Sequence, residues 1–365
     1  MKRRISKKIK VGSLIIGGGF PIVVQSMTKT DTKDLKKTID QIKELEEAGC
    51  EIVRVALVDK EAALNISKIK KEIEIPLVGD VHFNSEIAEI ALKEGVDKLR
   101  LNPGNIRDGY KLKKVINLAK ELKTPIRIGV NAGSMPKKDK LLTAKNLVKL
   151  ALEYVSFFED LGFFEIVISL KANDIYTTVE AYQLMAKKVS YPFHVGITEA
   201  GISNYGLIKS AVGSGILAFL GLADTIRVSL TSTPTEEVRT AYQILKALSL
   251  RDYGPEIISC PTCGRCKVNL IPMVENLDKS LQKNYPYLRS KIKGSFKIAV
   301  MGCEVNGPGE ARMADIGIAC GKKVALLFKK GEIIKKISPE KIVEVLLKEI
   351  NKMVEDNGEE IKNEQ

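Results

Sequence analysis

The sequence contains few of the residues on which several classes of protein depend. Only two histidines occur among 365 residues, so a metal site built on histidines is not expected. Aromatic residues make up 5% and are not interleaved with a run of arginines, which argues against nucleic-acid binding. No apolar run approaches the roughly 18 residues of a membrane span. The basic N-terminal stretch also lacks the apolar segment of a signal peptide. We therefore expect a cytoplasmic protein that binds neither nucleic acid nor membrane.

Positive charge, in contrast, is in excess. The chain has 58 lysines and arginines against 45 aspartates and glutamates, a net charge of +13. Much of this charge lies on helical stretches where lysine and glutamate are close together, as in KKTIDQIKELEEAG, and a solvated surface accounts for it. The remainder is compatible with an acidic partner protein or a phosphorylated substrate.

Between about residues 20 and 250, short β-branched runs alternate with amphipathic helical stretches. The eight strand candidates are PIVVQSM, EIVRVAL, IPLVGDVH, DKLRLNPGN, PIRIGVNAGS, FEIVISLKAN, FHVGITEAG and DTIRVSLTS. Several helices end on a glycine just before the next strand, at Gly49, Gly95 and Gly162. Eight such units predict an α/β fold of the (β/α)8 TIM-barrel type. A doubly wound sheet is disfavoured because the glycines at 17–19 precede their strand and form no dinucleotide fingerprint.

After Arg251 the pattern changes to short strands, a cysteine-rich loop and a helix near 339–354. This pattern predicts a smaller α+β domain. We therefore expect three segments: a barrel domain at 1–251, a cysteine-containing domain at 252–354 and a polar tail at 355–365.

In a βα barrel, functional side chains lie at the C-terminal ends of the strands. Four long cations occupy such positions on four strands, and few carboxylates match them, chiefly Asp80 and Glu199. Uncompensated buried cations are costly, so a multiply charged anion such as a diphosphate should complete the site. Once that anion is bound, Glu199 becomes a plausible acid. The candidate residues are Arg54, His82, Arg100, Arg127, Asn131, Lys171, Thr198, Glu199 and Ser229.

Four of the six cysteines fall within one stretch that ends at Cys303. Cys260 and Cys263 form a C-x2-C pair, which is compatible with zinc, iron–sulfur or thiol redox chemistry. A structural zinc site would need a second pair, and a thioredoxin-like context is absent. With Cys303, in the loop GCEVNGPGEA, the pair supplies three thiolates for a four-iron cluster. One iron would then be open to a weaker ligand, for which Glu310 is the candidate.

Cys266 leaves an alternative open. Together with Cys260 and Cys263 it makes a C-x2-C-x2-C run, as in bacterial ferredoxins, and Cys303 could complete an all-cysteine electron-transfer cluster. Spacing alone does not decide whether Cys266 is a ligand. Cys50 and Cys320 stand in apolar or strand-like surroundings and are interpreted as small buried residues.

Ten motifs in order make the chain resemble the 4-hydroxy-3-methylbut-2-enyl diphosphate synthase family of the methylerythritol phosphate route to isoprenoids, in its short bacterial form. They are VQSMTKTDT, EIVRVA, LVGDVHF, LRLNPGNI, RIGVNAGS, SLKAND, GITEAG, RVSLT, ISCPTCGR and GCEVNGPGEA. The resemblance implies reductive opening of 2-C-methyl-D-erythritol 2,4-cyclodiphosphate, with loss of water. It also implies a [4Fe–4S] cluster that receives single electrons from reduced flavodoxin or ferredoxin.

The same resemblance assigns roles to residues. It implies that Cys260, Cys263 and Cys303 hold the cluster, that Glu310 is its fourth, displaceable ligand, and that Glu199 acts on protons. Residues implied to hold the diphosphate or line its pocket are Arg54, Arg100, Arg127 and Lys171, then His82, Asn131, Thr198 and Ser229. Cys266 is not part of the family motif, which disfavours it as a ligand. The family further implies a head-to-tail homodimer, in which the cluster domain of one subunit covers the barrel mouth of the other.

Two functions of other classes compete with this interpretation. An iron–sulfur electron-transfer or sensor protein with a non-catalytic barrel would have four cysteine ligands and no affinity for a diphosphate. A zinc-stabilised barrel hydrolase acting on a phosphorylated substrate would contain zinc without sulfide. Metal and sulfide analysis therefore separates the main hypothesis from the second rival.

Overall fold

The computed structural model describes residues 3–82, 84–102, 104, 106, 108–131, 133, 143–172, 174–198, 200–201, 203–283, 288, 294, 296–305, 309 and 312–360. The chain forms two compact units, Met1–Arg251 and Asp252–Gln365. No helix made of described residues is long and apolar enough to cross a membrane.

The first unit is a barrel of eight parallel strands. They pair in the order β8-β7-β6-β5-β4-β3-β10-β9, and a bridge between Ile168 and Phe193 closes the ring. The strands are β3 (Val23–Met27), β4 (Ile52–Ala56), β5 (Leu77–Val81), β6 (Lys98–Leu101), β7 (Ile126–Asn131), β8 (Ile166–Lys171), β9 (His194–Val195) and β10 (Thr225–Ile226). The predicted (β/α)8 fold is thus confirmed.

Helices alternate with these strands along the chain. They are α1 (Leu35–Glu47), α2 (Lys60–Leu64), α3 (Ile66–Lys70), α4 (Ser85–Lys93), α5 (Gly109–Glu121), α6 (Ala144–Asp160), α7 (Ile175–Ala186), α8 (Ser203–Phe219) and α9 (Pro234–Ala247). Gly49, Gly95 and Gly162 end three of them with φ of 91°, 82° and 66°, as their positions in the sequence predict. In each case the following N–H reaches back five residues, as from Cys50 to the Leu45 carbonyl at 2.8 Å, which is the Schellman arrangement.

A short antiparallel hairpin, β1 (Ile9–Val11) and β2 (Leu14–Ile16), precedes the barrel. Its buried side chains pack against Val23, Ile52, Val78 and Val167, near the N-terminal ends of four barrel strands. This apolar layer fills the N-terminal end of the barrel, and the predicted site residues lie further along the strands.

The second unit contains a five-stranded mixed sheet in the order β11-β12-β13-β14-β15. Its strands are β11 (Glu256–Ser259), β12 (Lys297–Met301), β13 (Ile316–Cys320), β14 (Ala325–Lys329) and β15 (Glu332–Ile337). Helices α10 (Leu270–Lys283) and α11 (Ile342–Glu360) share one apolar core with the sheet, so the predicted α+β domain is confirmed. Helix α11 continues to Glu360, so residues 355–360 of the predicted tail are helical.

Candidate functional site

The barrel register brings the predicted cations of neighbouring strands side by side. Arg100 on β6 is the register partner of Arg127 on β7 and of Asp80 on β5. Arg54 lies one strand further, on β4, and is 8% exposed. Arg54 is the register partner of Val78, two residues before Asp80. Register partners and residues two apart on a strand point to the same side of a sheet, so these four side chains form one group inside the barrel.

Asp80 is the anion at the centre of this group. Its carboxylate accepts a hydrogen bond from Arg100 Nη1 at 3.0 Å and lies 3.5 Å from Arg54 Nε and from His82 Nε2. Burial opposes ionisation of this carboxyl, but attraction by Arg54, the hydrogen bond with His82 and attraction by Arg100 together hold its pKa well below the usual range. A cavity of about 300 Å³ opens beside Asp80 and His82. Asp80 therefore lines this cavity and also holds Arg54 and Arg100, which do not line it themselves.

Arg127 is not neutralised in this way. It is 1% exposed, and no described residue accepts a hydrogen bond from its Nε or Nη1. Burial, and then repulsion by Arg54 and Arg100, lower its pKa well below the ordinary value. A guanidinium in a protein keeps its proton. The lowered pKa of Arg127 therefore indicates that its buried charge is unfavourable, and a bound anion would relieve this.

Four further candidates lie at or just after the ends of β7 to β10: Asn131, Lys171, Thr198 and Ser229. Lys171 and Asn131 are register partners, and burial followed by repulsion from neighbouring cations lowers the pKa of Lys171 well below its usual range. Thr198 follows β9, and Ser229 follows β10. The catalytic candidates Glu199 and Glu310 lie outside the described residues.

Residues that the sequence analysis missed extend the same polar interior. Arg227 lies 3.7 Å from Glu237 of α9 and repels Lys171. Lys98 and His194 are completely buried. No described residue is a hydrogen-bond partner of Lys98 Nζ or His194 Nε2. Strand alternation could have found Arg227, because Ser229, two residues later, was already assigned to the barrel interior.

Lys98 makes the stability of the barrel depend on pH. Burial, then repulsion by Arg127 and Arg54, lower its pKa from 10.5 to about 7. The unfolded chain therefore binds more protons than the folded chain between these two pH values. The free energy of unfolding should accordingly rise with pH across this range, by about 1.4 kcal/mol per pH unit.

We expect Lys98→Met to remove this contribution and to stabilise the barrel most at neutral pH. Urea unfolding of both proteins at several pH values from 7 to 10, followed by circular dichroism, measures the difference between them. Parallel profiles for the variant and the wild type would show that Lys98 keeps an ordinary pKa.

In the second unit, the predicted cluster thiols lie at neighbouring strand ends. Cys260 follows β11 and Cys303 follows β12, while Cys263 is exposed on the intervening loop. The Gly302 N–H donates a hydrogen bond to Cys260 Sγ at 3.4 Å. Cys266 belongs to the same loop, and its thiol donates to the Val268 carbonyl at 3.2 Å.

These thiols are not gathered into a finished metal site. Within the described part of the chain, no group of three or more histidine, cysteine or carboxylate side chains is arranged to hold a metal ion. The donor chemistry still fits an iron–sulfur cluster, because the cysteines form no disulfide, two of them follow neighbouring strands of one sheet, and a backbone N–H donates to one sulfur.

Cys320 is buried, as the sequence predicts, but it is not isolated. It ends β13 at the same sheet edge, and burial raises its pKa to about 12, with further contributions from Cys266, Cys260 and Cys303. The sequence predicts a small buried residue at Cys320 but not its neighbours, because sheet register brings them together and spacing does not reveal register.

Comparison with solved structures agrees with the barrel architecture. A dihydropteroate synthase from Yersinia pestis superposes with a TM-score of 0.50 at 11% sequence identity, and the alignment covers 66% of this chain and 98% of that one. At this low identity the likeness concerns the fold alone.

Sequence comparison is far more specific. The GcpE TIM-barrel domain matches residues 6–242, and the GcpE protein C-terminal domain matches residues 256–352. A 4-hydroxy-3-methylbut-2-en-1-yl diphosphate synthase (flavodoxin) from Ruminiclostridium cellulolyticum is 52% identical over 97% of this chain and 99% of its own length. An enzyme of the same name from Caldanaerobacter subterraneus subsp. tengcongensis is 51% identical over 97% of this chain and 99% of its length. The chain therefore belongs to the GcpE family of 4-hydroxy-3-methylbut-2-en-1-yl diphosphate synthases.

Proposed function

We propose that the chain converts 2-C-methyl-D-erythritol 2,4-cyclodiphosphate into 4-hydroxy-3-methylbut-2-enyl diphosphate. Two electrons and two protons enter, one carbon–oxygen bond to phosphate breaks, and one hydroxyl leaves as water. The observation that carries the proposal is the group of buried cations at the barrel strand ends, within which no described residue accepts a hydrogen bond from Arg127 Nε or Nη1. Close relatives over the whole length of the chain bear the name of this activity.

The charge balance of the site suits ring opening. Opening the cyclic diphosphate turns a bridging oxygen into a terminal one, so negative charge develops on the diphosphate. Among described residues near the site, four arginines outnumber two carboxylates: Arg54, Arg100, Arg127 and Arg227 against Asp80 and Glu237. Preorganised cations in excess of their counter-charges stabilise the developing charge more than the bound substrate, which is what lowers a barrier.

We assign binding and proton transfer to different residues. The diphosphate would be held by Arg54, Arg100, Arg127 and Lys171. Its pocket would be lined by His82, Asn131, Thr198 and Ser229. Asp80 would keep Arg54 and Arg100 in place through the contacts described above. Glu199 would supply the proton for the departing hydroxyl, a role that comes from the family resemblance.

Cys260, Cys263 and Cys303, with Glu310 as the fourth ligand, would hold a [4Fe–4S] cluster. A bound cluster would supply single electrons and a Lewis-acidic iron for the departing oxygen. The relatives' names give flavodoxin as their donor, so we propose reduced flavodoxin, with ferredoxin as the alternative. The net charge of +13 favours association with an acidic carrier.

We also propose that the chain is a homodimer and that α8 takes part in the interface. Five large apolar side chains form one exposed stripe at helical spacing along α8. They are Tyr205 (68% exposed), Ile208 (57%), Val212 (46%), Ile216 (38%) and Phe219 (58%). A continuous exposed stripe of this kind marks an association surface, and in a two-fold dimer the same stripe can pack on its copy. The head-to-tail arrangement stays a prediction from the resemblance.

Placing two charges on this stripe should separate the subunits. We expect Ile208→Glu/Val212→Glu to sediment as a monomer at concentrations where the wild type is a dimer, because each carboxylate would have to be desolvated at the interface. Leu64→Glu, at a 49% exposed position on α2, is the matched control. A double variant that sediments like the control would exclude α8 from the interface.

Anaerobic purification followed by iron, sulfide and zinc analysis tests the assignment. We expect iron and sulfide in equal amounts, a brown absorbance band, and turnover of the cyclic diphosphate with reduced flavodoxin. Stoichiometric zinc without sulfide would contradict the proposal. Four cysteine ligands with no affinity for the diphosphate would instead support an electron-transfer or sensor protein.

A further inference from the structure

Two cysteines outside the proposed ligand set meet on one face of the C-terminal sheet. Met301 of β12 is the register partner of Ala319 of β13 in a parallel pair. Gly302 and Cys320 are the next residues on the two strands, so they lie side by side with their side-chain positions on the same face. A Cβ atom at Gly302 would lie only 2.5 Å from Cys266 Sγ. The sulfur of Cys266 therefore occupies the place of a side chain beside Cys320.

The packing places both residues in the same core. Cys320 belongs to the apolar cluster between the sheet and its two helices, and Cys266 packs against that cluster. Two independent geometric features, the strand register and the core packing, thus bring the same two sulfurs together.

Neighbouring strands lie about 4.8 Å apart, so the Cys266 sulfur, at the Cβ position of Gly302, lies about one strand spacing from the Cys320 side chain. A disulfide requires Cβ atoms about 3.5–4.5 Å apart, so the Cys266 loop would have to move toward β13 to form one. Cys260 is the competing partner, since its sulfur would lie 3.4 Å from the same Cβ position at Gly302. Cys260, however, is a proposed cluster ligand and accepts the Gly302 N–H, whereas Cys320 has no such role.

We propose that Cys266 and Cys320 form a reversible disulfide when the protein meets a peroxide. Cys266 is partly exposed and reacts first, while Cys320 is 0% exposed. The Cys266 thiol takes one peroxide oxygen to become a sulfenic acid, and the first water leaves. The Cys320 thiol then loses its proton and attacks the Cys266 sulfur, slowly at neutral pH because burial raises the pKa of Cys320 to about 12, and the sulfenic hydroxyl leaves with that proton as the second water. Two thiols lose two electrons, the peroxide is reduced to two waters, and a thiol reductant reverses the bond.

Pairing with Cys320 would keep Cys266 from bonding to a ligand thiol. The consequence is a cluster site that can be refilled after oxidative damage, because the thiols of Cys260 and Cys303 are not consumed in a disulfide. Neither Cys266 nor Cys320 belongs to the proposed ligand set, so the disulfide can be tested whether or not the proposed reaction is correct.

Peptide mapping of the full-length, anaerobically purified protein tests the proposal. The protein is treated with hydrogen peroxide, with its cluster and after chelation of iron, alkylated without reduction, and digested. We expect a peptide pair joined through Cys266 and Cys320, lighter by two hydrogens than the separate peptides, that disappears on treatment with a thiol reductant. The pair should be absent from Cys320→Ala and from Cys266→Ser. It should persist in Cys50→Ala, which removes a buried thiol of the barrel domain.

Several results would overturn the proposal. One is a disulfide that joins Cys266 to Cys260, Cys263 or Cys303; another is complete alkylation of both thiols after peroxide. Loss of iron from untreated Cys266→Ser protein would show that Cys266 is a cluster ligand, and it would also exclude Cys266 from the proposed disulfide. After peroxide and then reductant, the wild type should rebuild more cluster from iron and sulfide than Cys320→Ala does. If both proteins rebuild the same amount of cluster, the disulfide does not protect the cluster ligands.

Discussion

Replacing Cys303 by serine is expected to remove the iron–sulfur cluster and to reduce turnover to the background rate. Cys303 stands alone after β12, whereas Cys260 and Cys263 share one loop, so no neighbouring cysteine of its own segment can substitute for it. A serine hydroxyl is a far weaker ligand for iron than a thiolate. Iron and sulfide content and the absorbance of the anaerobically purified variant measure the loss directly, and turnover with reduced donor measures its consequence.

Cys50→Ser is the matched control, because Cys50 is buried in the barrel domain and has no proposed role at the cluster. This control should keep its full iron content. If Cys303→Ser keeps iron and sulfide, the ligand set is wrong. Loss of iron from Cys266→Ser as well would then favour the all-cysteine ligation that spacing alone leaves open.

The barrel could be predicted because its signals are local. Each strand is a short β-branched run, and glycines such as Gly49 and Gly95 end helices through a left-handed conformation that other residues avoid. Eight repeats of this pattern leave few architectures to choose from. The end of α11 was harder to predict, because the segment after Val354 is polar and the helix nevertheless continues to Glu360.

The polar interior of the barrel was predicted only in part. Strand ends identified Arg54, Arg100 and Arg127, whereas Lys98 and Arg227 were missed. Lys98 begins its strand, at a position where barrels usually bury aliphatic side chains, so its charge gave no reason to place it inside. Its environment depends on Arg127 and Arg54, which reach it from neighbouring strands.

The relation between Cys266 and Cys320 could not be inferred from sequence at all. The two residues are far apart along the chain; the spacing made Cys266 a possible cluster ligand, and Cys320 resembles an ordinary small core residue. Only the parallel register of β12 and β13, with a glycine at position 302, places one sulfur beside the other. Register is set by tertiary packing of the sheet rather than by local spacing.

Arg127→Met should have opposite effects on stability and on substrate binding. Arg127 is 1% exposed and lacks described acceptors for two of its nitrogens, so the empty protein carries an uncompensated buried charge. An apolar side chain of similar length should raise the free energy of unfolding by about 1–4 kcal/mol. The same change removes a charge-assisted contact to the diphosphate, so KM for the cyclic diphosphate should rise by about 10- to 100-fold.

Urea unfolding of the substrate-free protein and steady-state kinetics measure the two effects separately. Asp80→Asn is the informative comparison, because it leaves Arg54 and Arg100 without their counter-charge. That variant should lose about 3–5 kcal/mol of stability, the reverse of the Arg127 effect. A residue with a purely structural role would lower stability and activity together when replaced. If Arg127→Met destabilises the substrate-free protein, or leaves KM unchanged, the charge of Arg127 is neutralised within the protein and Arg127 does not bind the diphosphate.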